Sequence, residues 1–194
     1  EISDNIILVG DPERVEMISS QFDIIEHQIS NREFVTHTGI INKKRITAIS
    51  TGIGTDNIDI VINEIDALAN INFKTRTINK SHKTLNIIRL GTSGGLQNNI
   101  PVDSLIVSSY ALGFDGLAHF YKNNDLLEKD FKKAFLKQSN WPKELAEPYF
   151  IKASNNLLQK FSDLKSGITA TATGFYGPQG RVLRLQPSIL NLEE

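Results

Sequence analysis

The chain has 194 residues and a net charge of -1, and 40% of its residues are hydrophobic while 22% are charged. This balance predicts one globular domain over residues 1–194 and gives no indication of a surface for nucleic acid or membrane, so we expect neither as a partner. Cysteine is absent, which excludes disulfides and thiolate metal sites, and no apolar run approaches the roughly 18 residues of a membrane span.

The first part of the chain alternates apolar runs with helical patterns. The runs that predict strands cover residues 6–9, 24–29, 33–40 and 45–50. Asp11 and Pro12 predict the start of a helix, and residues 41–44 predict a hairpin turn. Apolar residues spaced by three or four predict a second helix over 55–69, and the polar, basic stretch 70–84 predicts a surface excursion.

The second part continues the alternation. The predicted strands cover residues 85–90, 105–110 and 167–173, and the helical patterns cover 126–140 and 142–161, with breaks at Pro142 and Pro148. Strands that alternate with helices predict a three-layer α/β sandwich with a central β-sheet flanked by helices. The adjacent strands near the start indicate that this sheet is mixed.

Three predicted strands end in glycine turns, which begin at Gly10, Gly52 and Gly91. Ligands in open α/β sheets collect outside the carboxyl ends of strands, so we expect these turns to lie at one edge of the sheet with Arg14 and Arg89. Glycine-turn N–H groups, a helix start and arginine forks together suit a phosphate dianion. The alternative for Arg14 is a surface ion pair with a neighbouring glutamate. The turn at Gly91 lacks the ending of an ATP-binding loop, and the turn at Gly52 lacks the third glycine of a dinucleotide-binding loop.

The loop from Gly174 to Arg181 is a second candidate site. Gln179 offers an acceptor and two donors in one plane, and Arg181 offers a permanently charged fork of donors. Together they match the alternating carbonyl, N–H and carbonyl groups of a uracil edge, and Phe175 is close enough in sequence to lie against the ring face. The glycines and proline of the loop predict a fixed shape. The alternative is an ordinary surface turn with an exposed arginine.

Five segments resemble the nucleoside phosphorylase family, which includes uridine phosphorylases and hexameric purine nucleoside phosphorylases. They are Gly-Asp-Pro-x-Arg at 10–14, Arg-Glu-Phe at 32–34, Ser-Thr-Gly-Ile-Gly at 50–54, Arg-x-Gly-Thr-Ser-Gly at 89–94 and Phe-Tyr-x-x-Gln-x-Arg at 175–181. Their order and rough spacing agree with the family over most of the chain, and the last motif resembles the uridine phosphorylase branch. The resemblance implies the family's three-layer fold and phosphorolysis of uridine to uracil and ribose 1-phosphate.

The resemblance also implies roles for individual residues. Phosphate would be bound by Gly10, Arg14, Arg32, Arg89 and Thr92. The base would be bound by Ser93, Gly94, Phe175, Gln179 and Arg181. Catalysis would rest on Arg89, Thr92 and Arg181, which stabilise the charge of the phosphate and of the departing base. Arg32 would reach in from a neighbouring subunit of a homodimer that assembles into a hexamer.

Phosphate is a co-substrate in this reaction, and we expect no cofactor and no zinc site, because the four histidines lack ligand spacing. Some members of the family hold a monovalent cation, K⁺, at the dimer interface. Glu33 stands at the position of one of its ligands, and Asn57 stands where a ligand serine is usual. The absence of cysteine and of a signal-peptide pattern leads us to expect a cytoplasmic protein.

Other interpretations stay open. A purine nucleoside phosphorylase would share the fold and the phosphate site, and a nucleosidase would use water, which needs no anion site. The sequence lacks the family's upstream histidine segment, its Glu-Met-Glu segment and its final helix, which favours a non-catalytic relative that binds an anion or serves in assembly. Residues 74–83 and 121–150 resemble insertions relative to the short bacterial enzymes.

Overall fold

The computed structural model describes residues 2–122 and 125–189. These residues form two compact units, the first ending at Thr92 and the second beginning at Ser93. The two units do not test whether residues 1–194 form one domain, and that expectation stays a prediction. Among the described residues, no helix has the length and apolar character needed to cross a membrane.

The first unit contains a five-stranded mixed sheet and two helices. Its elements are β1 (Asn5–Val9), α1 (Glu13–Ser19), β2 (Ile24–Asn31), β3 (Phe34–Ile41), β4 (Lys44–Ser50), α2 (Thr55–Asn70), β5 (Ile71–Asn72), β6 (Thr77–Ile78) and β7 (Asn86–Leu90). The strand order is β2-β3-β4-β1-β7, in which β1 is parallel to β4 and β7 while β3 is antiparallel to both of its neighbours. Strands β5 and β6 form a small hairpin in the predicted surface excursion, whose residues 72–84 are exposed.

Helices cover both faces of this sheet, because successive side chains of β1 point in opposite directions. One core cluster joins α2 to the sheet and consists of Ile6, Leu8, Ile49, Val61 and Ile65. The other cluster joins α1 to the opposite face and consists of Val9, Val15 and Ala48. Burying each of the larger side chains contributes about 1.5–3 kcal/mol to the stability of the fold. Because β1 has apolar side chains on both faces, a helix packs on each face, which gives the helix–sheet–helix layering predicted from the sequence.

The three parallel strands of the first unit end side by side. In the register, Val9 of β1 is opposite Ser50 of β4 and Leu90 of β7. The glycine turns that follow these strands therefore begin at the same edge of the sheet, and the N–H of Gly52 donates to the carbonyl oxygen of Gly10 at 2.9 Å. The predicted convergence of the three turns is confirmed.

The second unit contains a three-stranded sheet with the order β10-β8-β9. Its strands and α-helices are β8 (Ile106–Gly113), α3 (Lys129–Gln138), β9 (Tyr149–Lys152), α4 (Asn155–Leu158) and β10 (Lys165–Thr171). Strand β8 is parallel to β10 and antiparallel to β9, so this sheet is also mixed.

An aromatic cluster packs α3 onto β8 and β9. It consists of Tyr110, Phe114, Phe131, Phe135, Trp141 and Phe150. The ring centroids of its contacting pairs lie between 4.6 and 6.0 Å apart, which is the range of favourable aromatic contacts. The strands before and after α3 therefore share one apolar core with this helix.

The hydroxyl of Tyr149 ties β9 to the segment that follows β8. The half-buried phenol of Tyr149 lies 2.8 and 2.9 Å from the two carboxylate oxygens of Asp115, to which it donates. Burial, followed by the hydrogen bond to this carboxylate, raises the pKa of Tyr149 well above its ordinary value. The backbone N–H of Leu117 also donates to Asp115, at 2.7 Å.

The helix predicted over 142–161 is wrong, because this stretch contains strand β9 and only short helical turns from Asn155 onward. Pro148 lacks a backbone donor and disfavours helical conformation in the residue before it. The aromatic and β-branched residues after Pro148 suit a strand, and Phe150 is buried opposite Leu112 of β8.

Candidate functional site

The first unit has a cleft at the carboxyl edge of its parallel strands, with a volume of about 650 Å³. Its walls are the turns after β1, β4 and β7, the tip of the β2–β3 hairpin and the first turn of α2. Four of the predicted phosphate ligands line it: Gly10, Arg14, Arg89 and Thr92. The strand register therefore brings these four residues together from positions far apart in the sequence.

Two arginines supply the positive charge of the cleft. Arg14 is half-buried on α1, and Arg89 lies one residue before the end of β7, with its guanidinium folded over Gly91. In the described ranges of the chain, neither arginine has a carboxylate within ion-pair distance. The alternative of an Arg14–glutamate ion pair is therefore not observed, and both guanidinium groups are available to an anion.

Two carboxylates also line the cleft, and each already accepts a hydrogen bond. The backbone N–H of Glu13 donates to Asp11 Oδ1 at 2.9 Å. Asn57 Nδ2 donates to Glu33 Oε1 at 3.2 Å and to the carbonyl oxygen of Ile53 at 3.2 Å. These local donors hold the acidic oxygens in place at the walls of the cleft.

The wall beside Glu33 is tightly packed. A Cβ atom added to Gly52 would lie 2.7 Å from both Asn57 Nδ2 and Glu33 Cγ. Gly52 also has a φ of 70°, in the left-handed region that favours glycine. Both observations explain why the turn after β4 needs glycine at this position.

Arg32 lies apart from the other predicted phosphate ligands. It occupies the exposed tip of the β2–β3 hairpin with a φ of 55°, and it does not line the cleft of its own chain in the described residues. Its neighbour Glu33 does line that cleft. A role for Arg32 in a neighbouring subunit stays a prediction.

The loop that carries Gln179 is held in shape by its own backbone. The N–H groups of Gln179 and Arg181 both donate to the carbonyl oxygen of Tyr176 at 2.9 Å. Gly180 has a φ of 70°, and Gln179 Nε2 donates to the carbonyl oxygen of Gly174 at 3.1 Å. The fixed loop predicted from the glycines is confirmed.

Arg181 connects the parts of the predicted base site within the second unit. Its Cζ lies 4.4 Å from the centroid of the Phe175 ring, and a Cβ atom on Gly94 would lie 3.7 Å from its Nη2. The turn of Ser93 and Gly94, the aromatic ring and the arginine are therefore neighbours. Within the described residues, Arg181 Nε is buried without a hydrogen-bond partner, which is costly unless a ligand supplies an acceptor.

Some residues of the cleft were missed as site residues by sequence reasoning. Asp11, Pro12 and Ile53 line it beside the predicted ligands, and so does Asn57, which the family resemblance had placed only at the position of a cation ligand. The available signal for the first three was position, because each lies in a glycine turn at a strand end, where side chains converge.

The sequence was compared with protein families and with known proteins. The family model described as the phosphorylase superfamily matches residues 4–191. Uridine phosphorylase of Haemophilus influenzae is 34% identical over 115 residues, which cover 59% of this chain and 40% of that protein. Uridine phosphorylase of Thermococcus kodakarensis is 29% identical over 181 residues, which cover 93% of this chain and 55% of that protein. The chain thus spans about half the length of these curated relatives.

The fold is also found in a solved structure. A Trypanosoma brucei nucleoside phosphorylase, described as showing uridine phosphorylase activity, matches with a TM-score of 0.82 and 29% identity. The match covers 95% of this chain and 67% of that one. The nucleoside phosphorylase fold expected from the sequence is confirmed.

Proposed function

This chain belongs to the phosphorylase superfamily, and from that premise we propose that it catalyses the phosphorolysis of uridine to uracil and ribose 1-phosphate. The observation that carries the proposal is the pair of guanidinium groups, Arg14 and Arg89, that line one cleft without a carboxylate partner in the described part of the chain. The similarity to uridine phosphorylases supports uridine as the nucleoside.

Phosphate is bound in the cleft of the first unit. Arg14 and Arg89 donate charge-assisted hydrogen bonds, each contributing about 1.5–3 kcal/mol, and the backbone at Gly10 and the hydroxyl of Thr92 add further donors. Bound hydrogen phosphate is the nucleophile, and the fixed orientation of its oxygens lowers the barrier to attack. Because phosphate itself attacks the sugar, the reaction needs no side-chain nucleophile.

Uracil is bound by the loop of the second unit. Gln179 and Arg181 hydrogen-bond the carbonyl, N–H and carbonyl edge of the base, while Phe175 lies against its face. A phosphate oxygen bonds to the anomeric carbon as the C–N bond breaks, and the electron pair of that bond passes to the base. Arg181 stabilises this developing negative charge, and the proton of hydrogen phosphate ends on uracil.

A spectrophotometric assay of the full chain tests the proposal. We expect turnover of uridine that requires phosphate, with a preference over inosine of about 10⁴-fold because a purine leaves the base donors unmatched. Turnover of inosine alone would identify a purine nucleoside phosphorylase, and turnover without phosphate would identify a nucleosidase. Calorimetric binding of phosphate without any turnover would identify a non-catalytic relative.

The proposal includes a cytoplasmic homodimer that assembles into a hexamer, with Arg32 completing the neighbouring site. Light scattering measures the assembly, and subunit mixing measures the role of Arg32. Arg32→Ala and Arg89→Ala variants should each be nearly inactive, while their mixture should recover activity in the Arg32→Ala subunit. A mixture as inactive as its components would refute a ligand supplied between subunits.

A further inference from the structure

One amide nitrogen in the first unit lies between two oxygens of different chain segments. Asn57 Nδ2 is 3.2 Å from Glu33 Oε1 and 3.2 Å from the carbonyl oxygen of Ile53. Glu33 belongs to the tip of the β2–β3 hairpin, Ile53 to the turn after β4, and Asn57 to the first turn of α2. The half-buried amide therefore links three segments of the cleft wall.

A carboxylate oxygen and a carbonyl oxygen that face the same point suit a partner that carries positive charge or N–H donors. A metal cation is one such partner, and two N–H donors of an amide are another. The two partners exclude each other here, because the amide nitrogen of Asn57 contacts the same two oxygens that a cation would need. The residues in this arrangement do not fit the K⁺ site that the family resemblance implies for Glu33.

We propose that Asn57 is a positioning residue whose amide replaces the metal ion, so that the wall formed by Glu33 and Ile53 is held without a cation. Gly52 packs closely against the same amide and the methylene carbons of Glu33, which leaves these side chains little room to move. The link also fixes the hairpin tip that carries Arg32. Its effect on phosphate affinity rests on the proposed function, whereas its effect on stability does not.

Thermal unfolding of the full chain tests the inference in choline chloride, KCl and CaCl₂ at equal ionic strength. The wild-type melting temperature should be the same in all three salts. Asn57→Asp keeps the shape but loses both donors and places a second carboxylate beside Glu33. In choline chloride its melting temperature should fall by about 4–8 °C, and it should recover with K⁺ or Ca²⁺, since three oxygens then converge.

The same helix offers a matched control. Asn63 Nδ2 makes an equivalent pair of contacts, 2.8 Å to the carbonyl oxygen of Asp59 and 3.2 Å to its Oδ1, but on the exposed face of α2. Asn63→Asp should shift the melting temperature only slightly, and equally in the three salts. Phosphate affinity should fall in Asn57→Asp and stay unchanged in Asn63→Asp.

Three results would overturn the inference: a wild-type melting temperature that rises with either cation, an Asn57→Asp variant as stable as wild type in choline chloride, or one that ignores both cations. If this variant does not fold, calorimetric titration of the wild type with KCl and CaCl₂ decides, and saturable binding would overturn the inference. A protein that melts as expected without turning over uridine would refute the proposed function alone.

Discussion

Replacing Gly91 by Ala should displace the Arg89 guanidinium without removing any predicted phosphate ligand. A Cβ atom at position 91 would lie 3.1 Å from Arg89 Cζ and closer still to its Nη1. Gly91 has no positive φ, so the backbone itself accepts alanine. The strain is relieved by moving the flexible end of Arg89, which costs little stability but takes its charge out of the position observed in the cleft.

The loss of one charge-assisted hydrogen bond of about 1.5–3 kcal/mol weakens phosphate binding by roughly 10- to 150-fold. The KM for phosphate in the uridine assay and calorimetric titration with phosphate should both report this change. The KM for uridine and the melting temperature should change little.

Gly95→Ala is the matched control, because the nearest atom to its added Cβ is a carbonyl oxygen of Ile100 at 4.0 Å. It should bind phosphate as the wild type does. If Gly91→Ala also binds phosphate with wild-type affinity while remaining folded, then Arg89 does not hold the anion from its observed position, and the assignment of the cleft fails.

Three further predictions concern other parts of the chain. Phosphate at about 100 times its dissociation constant should raise the melting temperature by roughly 5–10 °C, and Arg14→Ala should reduce this rise; an equal rise in both proteins, measured by differential scanning fluorimetry, would contradict the role of Arg14. Phe175→Ala frees the Arg181 side chain and should raise the KM for uridine by at least about 2- to 5-fold while leaving the KM for phosphate unchanged; equal changes in both constants would contradict a role limited to the base. Tyr149→Phe should lower the melting temperature by about 2–4 °C at neutral pH through the lost bond to Asp115. Because the folded chain raises the pKa of Tyr149 above its ordinary value of 10.0, its contribution is complete below that pH and is lost above it, so urea unfolding of wild type and variant should converge as the pH rises beyond 10; a constant difference would contradict the raised pKa.

The sheet of the first unit was predictable because its signals are local. The apolar strand at residues 6–9 must be buried on both faces, and the glycine after it cannot continue the strand. Once three such strands are parallel, their carboxyl ends meet and bring Gly10, Arg14 and Arg89 to the same edge. The fixed loop at Gln179 was predictable for the same reason, since its glycines and proline act within a few residues.

Features that depend on distant partners were not predictable. The stretch around Phe150 has a spacing of apolar residues that fits a helix, and it becomes a strand because it pairs with β8, which lies far earlier in the chain. Asn57 and Glu33 are separated by 24 positions, and their contact depends on where the β2–β3 hairpin ends relative to α2. The pattern of residues along the sequence does not predict how close these two side chains lie in space.

The aromatic cluster around α3 has a consequence for how this family diverges. Rings from β8, α3, Trp141 and β9 contact one another, so the segment that resembles an insertion carries much of its own apolar packing. Such a segment can lengthen, shorten or change sequence between lineages while its anchoring rings persist, one on β8 and one directly after it. Natural sequence variation should therefore concentrate on the solvent-facing side of α3. Exchange of this segment between relatives should give a folded protein when Tyr110 and Phe114 are exchanged together with it.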